Sequence, residues 1–301
     1  MSLDADAIVD RRRMRRGLIL WRTIAAVLGI AIVVAVVGEI SGRGDYVARV
    51  SVTGIISSDT QLMRRLKEIA RNDRAAALIV DISSPGGTVV GGEELYLELR
   101  RVAESKPVVA TIGTLGTSAA YMAALGTDRI FSREGSITGS IGVIMQATEI
   151  TGLLESIGVS TEAIKSGPLK AVPSPFEKLS DDGRAAARAV IMDVYGMFVD
   201  LVAERRGLPR DQALKLSDGR IYTGRQAMEL GLVDEIGGEV EARAWLAAER
   251  SVPSGLPIRD IDRRDEFSPW RSAIALLTQK TVLSETLTLD GLVSLWHPDL
   301  R

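Results

Sequence analysis

Residues 18–38 form the longest apolar stretch of the chain, interrupted only by Arg22 and Thr23 near its start. A helix of that length is roughly 30 Å long, about the thickness of a bilayer hydrocarbon core. The basic cluster RRRMRR (11–16) precedes it and few basic residues come after. This asymmetry places residues 1–17 in the cytoplasm and the remainder outside, with Arg22 close enough to the interface to snorkel. A cleaved signal peptide is the alternative. The run is long for a signal core and no A-x-A site ends it, so an uncleaved anchor over 18–40 is expected.

Beyond a short linker the pattern changes to short strands and amphipathic helices. Residues 46–57 (YVARVSVTGIIS) alternate as a strand does, 62–74 have helical periodicity, and 76–83 (AALIVDIS) are a short apolar strand. A helix over 93–104, a strand over 107–113 and a small-residue helix over 119–125 (AAYMAAL) come next. Strands and helices alternating at this spacing predict an α/β domain with a parallel sheet covered on both faces, here residues 46–250. Further on, 136–144 (SITGSIGVI) reads as a strand entering a tight turn, 182–206 as a long amphipathic helix, and 217–238 as a turn, a helix and a final strand. Residues 251–301 differ in texture, with prolines, the charged run RDIDRRDEF and two apolar patches. They form an extension whose order the pattern leaves open.

Composition narrows the chemistry. A net charge of −2 gives no footprint for nucleic acid. There is no cysteine, which removes disulfides, thiolate metal sites and a thiol nucleophile together. The only histidine is His297, so a Ser-His-Asp triad would need the extreme C-terminus to fold back, and no metal centre is expected.

Against that background one turn stands out. The β-branched run 108–112 leads through a Gly/Thr turn to Ser118, at the start of the small-residue helix. A serine at a strand-to-helix turn is held at an exposed bend beside the unpaired N–H groups of the helix, which suits a nucleophile whose reaction creates an oxyanion. The loop 83–94 (SSPGGTVVGGEE) comes after the preceding strand, so its N–H groups lie at an adjacent strand end as a candidate oxyanion-binding element. Without histidine the base is expected to be lysine, and arginine cannot serve. The lysines are Lys67, Lys106, Lys165, Lys170, Lys178, Lys215 and Lys280. Lys165, Lys170 and Lys178 share a proline-broken loop, 164–182, and composition does not choose among them.

Five segments in order, SSPGG, TSAAYMAAL, SITGSIGVI, KSGPLKAVPSPF and DGRIYTGRQAMELGLVDEIGG, resemble the signal peptide peptidase A family over roughly residues 47–238. These are membrane-anchored serine peptidases with a Ser-Lys dyad on a crotonase/Clp-protease-like fold, a superhelix of repeated ββα units. The resemblance implies Ser118 as nucleophile and Lys170, the second lysine of K-S-G-x-x-K, as general base. It implies Ser140 as the residue orienting that lysine, and Gly87 and Ala119 as oxyanion donors. The family commonly has Gly-Gly after the serine; here Ala119 and Ala120 stand in those places, which keeps the N–H groups and narrows the groove.

The same resemblance implies a serine endopeptidase without cofactor, degrading hydrophobic peptides such as signal-peptide remnants. It would be a homo-oligomer in contact with membrane lipid, anchored once in the bacterial inner membrane with its catalytic domain periplasmic. A free lysine, with a pKa of about 10.4, is a poor base at neutral pH and must be desolvated to act. The rivals are a non-catalytic membrane scaffold with the same fold and a crotonase-type acyl-CoA enzyme.

Overall fold

A computed structural model of the chain describes residues 21–23, 25, 26, 29, 44–261 and the backbone of 293–295. The chain divides into two units, Met1–Asp45 and Tyr46–Arg301. In the first, the described residues between 21 and 29 are helical and exposed. The rest of the expected anchor (18–40) and the basic segment 1–17 lie outside the described residues, among which no helix is long and apolar enough to cross a membrane.

The second unit begins with β1 (Tyr46–Ile56), α1 (Thr60–Arg71), β2 (Ala75–Thr88), α2 (Val89–Ala103), β3 (Val108–Thr117) and α3 (Ala119–Ala124). Next come β4 (Arg129–Ser132), β5 (Ile137–Gly139), α4 (Thr151–Ser156), α5 (Asp181–Arg206) and α6 (Arg210–Leu216). The unit closes with β6 (Ile221–Thr223), α7 (Gly224–Glu229), β7 (Glu235–Ile236), α8 (Glu239–Arg250), β8 (Ile258–Asp260) and β9 (Val293–Leu295). Of the extension 251–301, only 251–261 and 293–295 are among the described residues.

The central strands are apolar because they are covered twice. Val50, Val52, Leu78, Val80 and Ile82 point to one side, into a core shared with α1, α2 and α3. Val47, Ala77, Ile79, Val109 and Phe131 point to the other, where Ala242 and Leu246 of α8 close a smaller core. The sheet order is β6-β5-β3-β2-β1-β8. β3 changes neighbour along its length: residues 109–112 lie beside β4 and residues 115–117 beside β5. The strand end that carries Ser118 is therefore clasped by β5, away from the strand that supports its beginning.

Two expectations need correction. The sheet is mixed rather than wholly parallel, since β6 runs antiparallel to β5 and β9 antiparallel to β2 while the other pairs are parallel. The segment expected as an exposed Pro-Gly-Gly turn is the continuation of β2, which shifts register near Ser84, and α2 begins at Val89 with Thr88 as its cap. Gly91 and Gly92 thus lie inside a helix. They serve close packing there: a Cβ at Gly92 would stand 2.9 Å from that of Ala119.

Candidate active site

The ends of β2, β3 and β5 converge on Ser118. Its backbone has φ 58° and ψ −123°, a left-handed conformation that an L-residue adopts only when its surroundings enforce it. Two hydrogen bonds fasten the bend. Ser118 N–H donates to Gly139 O at 2.8 Å, and Thr117 Oγ1 donates to Pro85 O at 3.0 Å. Ser118 O then accepts from Met122 N–H at 2.9 Å, which starts α3. The Ser118 side chain makes no capping bond to that helix, and the expectation of an exposed bend needs correction: the residue is 1% exposed, because β5 and the all-buried α3 close over it.

Ala119 is the first residue of α3, so its N–H has no intrahelical acceptor. Every residue of α3 is buried, and Tyr121 anchors it by donating its hydroxyl to Leu232 O at 2.7 Å. Burial pushes the Tyr121 phenol above its ordinary pKa. Gly87 lies on β2 opposite Ile56, where a Cβ would come within 1.9 Å of Ile56 O, so only glycine allows β1 and β2 to pair there. Residues 86–88 also form an antiparallel ladder with β9: Gly86 faces Leu295, Gly87 faces Ser294 and Thr88 faces Val293. The backbone beside the serine thus receives an extended chain.

Ser140 comes directly after Gly139, with φ 50°, and its N–H donates to Arg220 O at 2.8 Å. Ser118, Ala119 and Ser140 therefore lie at the joined ends of β3 and β5, and Gly87 lies just beyond Ser84, where β2 last pairs with β3. Lys170 makes no side-chain bond to any of them. It lies exposed on the loop between α4 and α5, and its ammonium makes no hydrogen bond or ion pair among the described residues. Of its neighbours in the loop, Lys165 is engaged in a close ion pair with Glu177.

Lys106 is the lysine whose pKa burial lowers, but it serves the fold. Its Nζ donates to Asn72 O at 2.8 Å and Ala75 O at 3.0 Å, at the opposite end of β3 from Ser118. A ten-residue strand separates the two, roughly 30 Å. No three metal-ligating side chains gather among the described residues.

The pattern of peptidase family S49 matches residues 100–253. The chain belongs to peptidase family S49. A candidate protease of Synechocystis sp. is 43% identical over 203 residues, which cover 67% of this chain and 73% of that protein. A candidate signal peptide peptidase A of Enterococcus faecium is 31% identical over 220 residues, covering 68% of this chain and 64%, less than two thirds, of its own length. Among solved structures, a mutant of the membrane-bound stomatin-specific protease 1510-N matches at a TM-score of 0.51 and 15% identity, over 73% of this chain and 99% of the other. At that identity the likeness is one of fold alone.

The S49 match takes in Ser118, Ala119, Ser140 and Lys170 and leaves Gly87 outside. Gly139, Arg220 and Tyr222 carry no role in the sequence pattern, where DGRIYTGRQ reads as a turn before a helix. Their signal is a tyrosine between β-branched neighbours (Ile221 and Thr223), a strand pattern whose partner only the fold reveals.

Proposed function

We propose that this S49 peptidase is a membrane-anchored serine endopeptidase in which Ser118 is the nucleophile and Lys170 the general base. The observation that carries it is the Ser118 bend: a strained, buried serine at a strand end, with the first N–H of α3 beside it and a backbone lane, residues 86–88, already paired with an extended strand. A peptide held antiparallel in that lane would bring its carbonyl to the serine. The neutral Lys170 amine takes the Oγ proton as Oγ attacks the carbonyl carbon. The N–H groups of Gly87 and Ala119 hold the oxyanion. Collapse expels the amine, which takes its proton from the Lys170 ammonium, and a water deprotonated by Lys170 then hydrolyses the ester.

An exposed lysine is a poor base, so Lys170 needs cover that the described residues do not supply. We infer that a second copy supplies it. Around the lysine loop Leu153, Ile157, Val159, Ile164 and Phe176 are exposed, an apolar patch of the kind that marks an interface. A cleft of about 150 Å³ lies beside Ile56, the strand partner of Gly87, lined by Val52, Leu62, Met63 and Leu95 among others. Ser51, Thr53, Ser57 and Asp59 line it as well, so one wall is apolar and the other polar; the apolar wall is consistent with hydrophobic peptides, including signal-peptide remnants, as substrates. The expected anchor over 18–40 supports a periplasmic domain on the inner membrane, in contact with lipid.

The exposure of Lys170 also favours a second reading, a non-catalytic scaffold, and one experiment separates them. Hydrolysis of apolar peptides by the detergent-solubilised full chain is measured against pH, with Ser118→Ala and Lys170→Ala alongside. Activity that rises with pH along a single deprotonation is expected, with a loss of about 10²–10⁴-fold in Lys170→Ala and at least as much in Ser118→Ala. A Lys170→Ala variant at full rate would move the base to another residue. Folded wild type that cleaves nothing would leave the scaffold.

A further inference from the structure

On the reading of Ser118 as nucleophile, we propose that Tyr222 is a positioning residue for it, acting through Gly139. The Ser118 N–H is fastened to Gly139 O at 2.8 Å, one of the bonds that place the bend, so a shift of that carbonyl moves the backbone that carries the nucleophile. Gly139 and Ser140 have φ 83° and 50°, two successive left-handed residues that turn the chain over immediately after the carbonyl. Such a turn does not hold itself. It is gripped between Thr117 of β3, which faces Gly139, and β6, where Ile221 faces Gly139 and Tyr222 faces Thr138.

The Tyr222 ring supplies the contact that a side chain at 139 would otherwise occupy. A Cβ on Gly139 would stand 2.6 Å from Tyr222 Cδ2 and 3.1 Å from Arg220 O. The ring is buried, 7% exposed, and its hydroxyl donates to Leu216 O at 3.0 Å, so it is fixed at its far end as well. Ser140 N–H, bonded to Arg220 O at 2.8 Å, closes the same grip two residues away from the tyrosine. Rotating the peptide that carries Gly139 O would therefore displace a ring with nowhere to go. The ring edge transmits the position of α6 and β6 to the nucleophile, and a misplacement of about 1 Å at a reacting group costs about 10²-fold in rate.

The test compares Tyr222→Phe, Tyr222→Leu, Gly139→Ala and the Gly139→Ala/Tyr222→Leu double variant in the full chain. Peptide hydrolysis and hydrogen exchange at the Ser118 amide are the two readouts. Tyr222→Leu is expected to lose about 10²-fold in kcat with KM changed by less than about threefold. Its Ser118 amide exchanges faster while the amides of β2 stay protected. Tyr222→Phe keeps the ring and stays within about twofold of wild type. Gly139→Ala, which drives a methyl group into the ring and strains the backbone at φ 83°, loses kcat at least as far, and the double variant falls by less than the product of the two single losses because both disturb one contact.

Wild-type kcat and Ser118 exchange in Tyr222→Leu, or losses that multiply in the double variant, overturn the proposal. Should Tyr222→Leu not fold, Tyr222→Met decides: a kcat loss with faster Ser118 exchange upholds the link, and wild-type values refute it. Hydrolysis unaffected by Ser118→Ala would instead refute the nucleophile assignment. The exchange data would then still judge the contact from Tyr222 through Gly139 to Ser118.

Discussion

Ser118 and Gly87 occupy positions where the backbone, more than the side chain, dictates the residue. A left-handed φ at Ser118 costs of order 1–3 kcal/mol, met by the surrounding strands. Alanine at 118 suffers the same strain and breaks no helix cap, so Ser118→Ala is expected to melt within about 2 °C of wild type while losing activity. Gly87→Ala places a methyl group 1.9 Å from Ile56 O and must part β1 from β2. It is expected to lower both the melting temperature and kcat, the latter by more than about tenfold, read by calorimetry and peptide hydrolysis. The serine is legible in the sequence because a β-branched run, a Gly/Thr turn and a small-residue helix leave few other ways to place it. Lys170 is not legible from composition. Its loop holds three lysines, and which of them is covered depends on what packs over the loop, a fact that no local pattern encodes.

The elements around the site are held by a few specific bonds whose removal is measurable. Tyr121 ties α3 to Leu232 O through a fully buried hydroxyl. Tyr121→Phe leaves that carbonyl unpaired, with an expected loss of about 1–3 kcal/mol in denaturant unfolding. At the start of α8, Glu241 accepts the Gly238 N–H at 2.7 Å, and this bond holds its carboxyl below the ordinary range. A carboxyl with a depressed folded pKa contributes stability above its unfolded pKa and loses it as pH falls through the folded value. Glu241→Gln is therefore expected to flatten the fall in stability on acidification below about pH 4.5, monitored by circular dichroism.

Helices and strands with clear periodicity, such as β1 and α5, emerge from the pattern to within a residue or two. β2 is cut short there because Pro85, Gly86 and Gly87 signal a turn locally. The strand continues because β1 lies alongside and glycine lets its backbone approach, a tertiary choice that overrides the local signal.

For the molecule as a whole, the proposal of Lys170 as base calls for cover over the exposed lysine, and the exposed apolar side chains of its loop suit a neighbouring copy in that role. If that copy contributes the lysine to its neighbour's serine, mixing Ser118→Ala chains with Lys170→Ala chains under conditions that exchange subunits restores part of the activity that each variant lacks. No recovery in verified mixed assemblies would place both residues of the dyad in one chain. The α/β order is legible because alternating strand and helix patterns admit few arrangements. The antiparallel β6 and β9 are not, since three-residue strands carry too little pattern to declare a direction.

The most direct measurement of the central claim is covalent labelling of the full chain with a fluorophosphonate, with the adduct located by mass spectrometry. A single adduct on Ser118, formed at least about tenfold more slowly in Lys170→Ala, is the expected result. An adduct on another residue, or labelling of Ser118 at an unchanged rate without Lys170, would contradict the Ser118–Lys170 dyad.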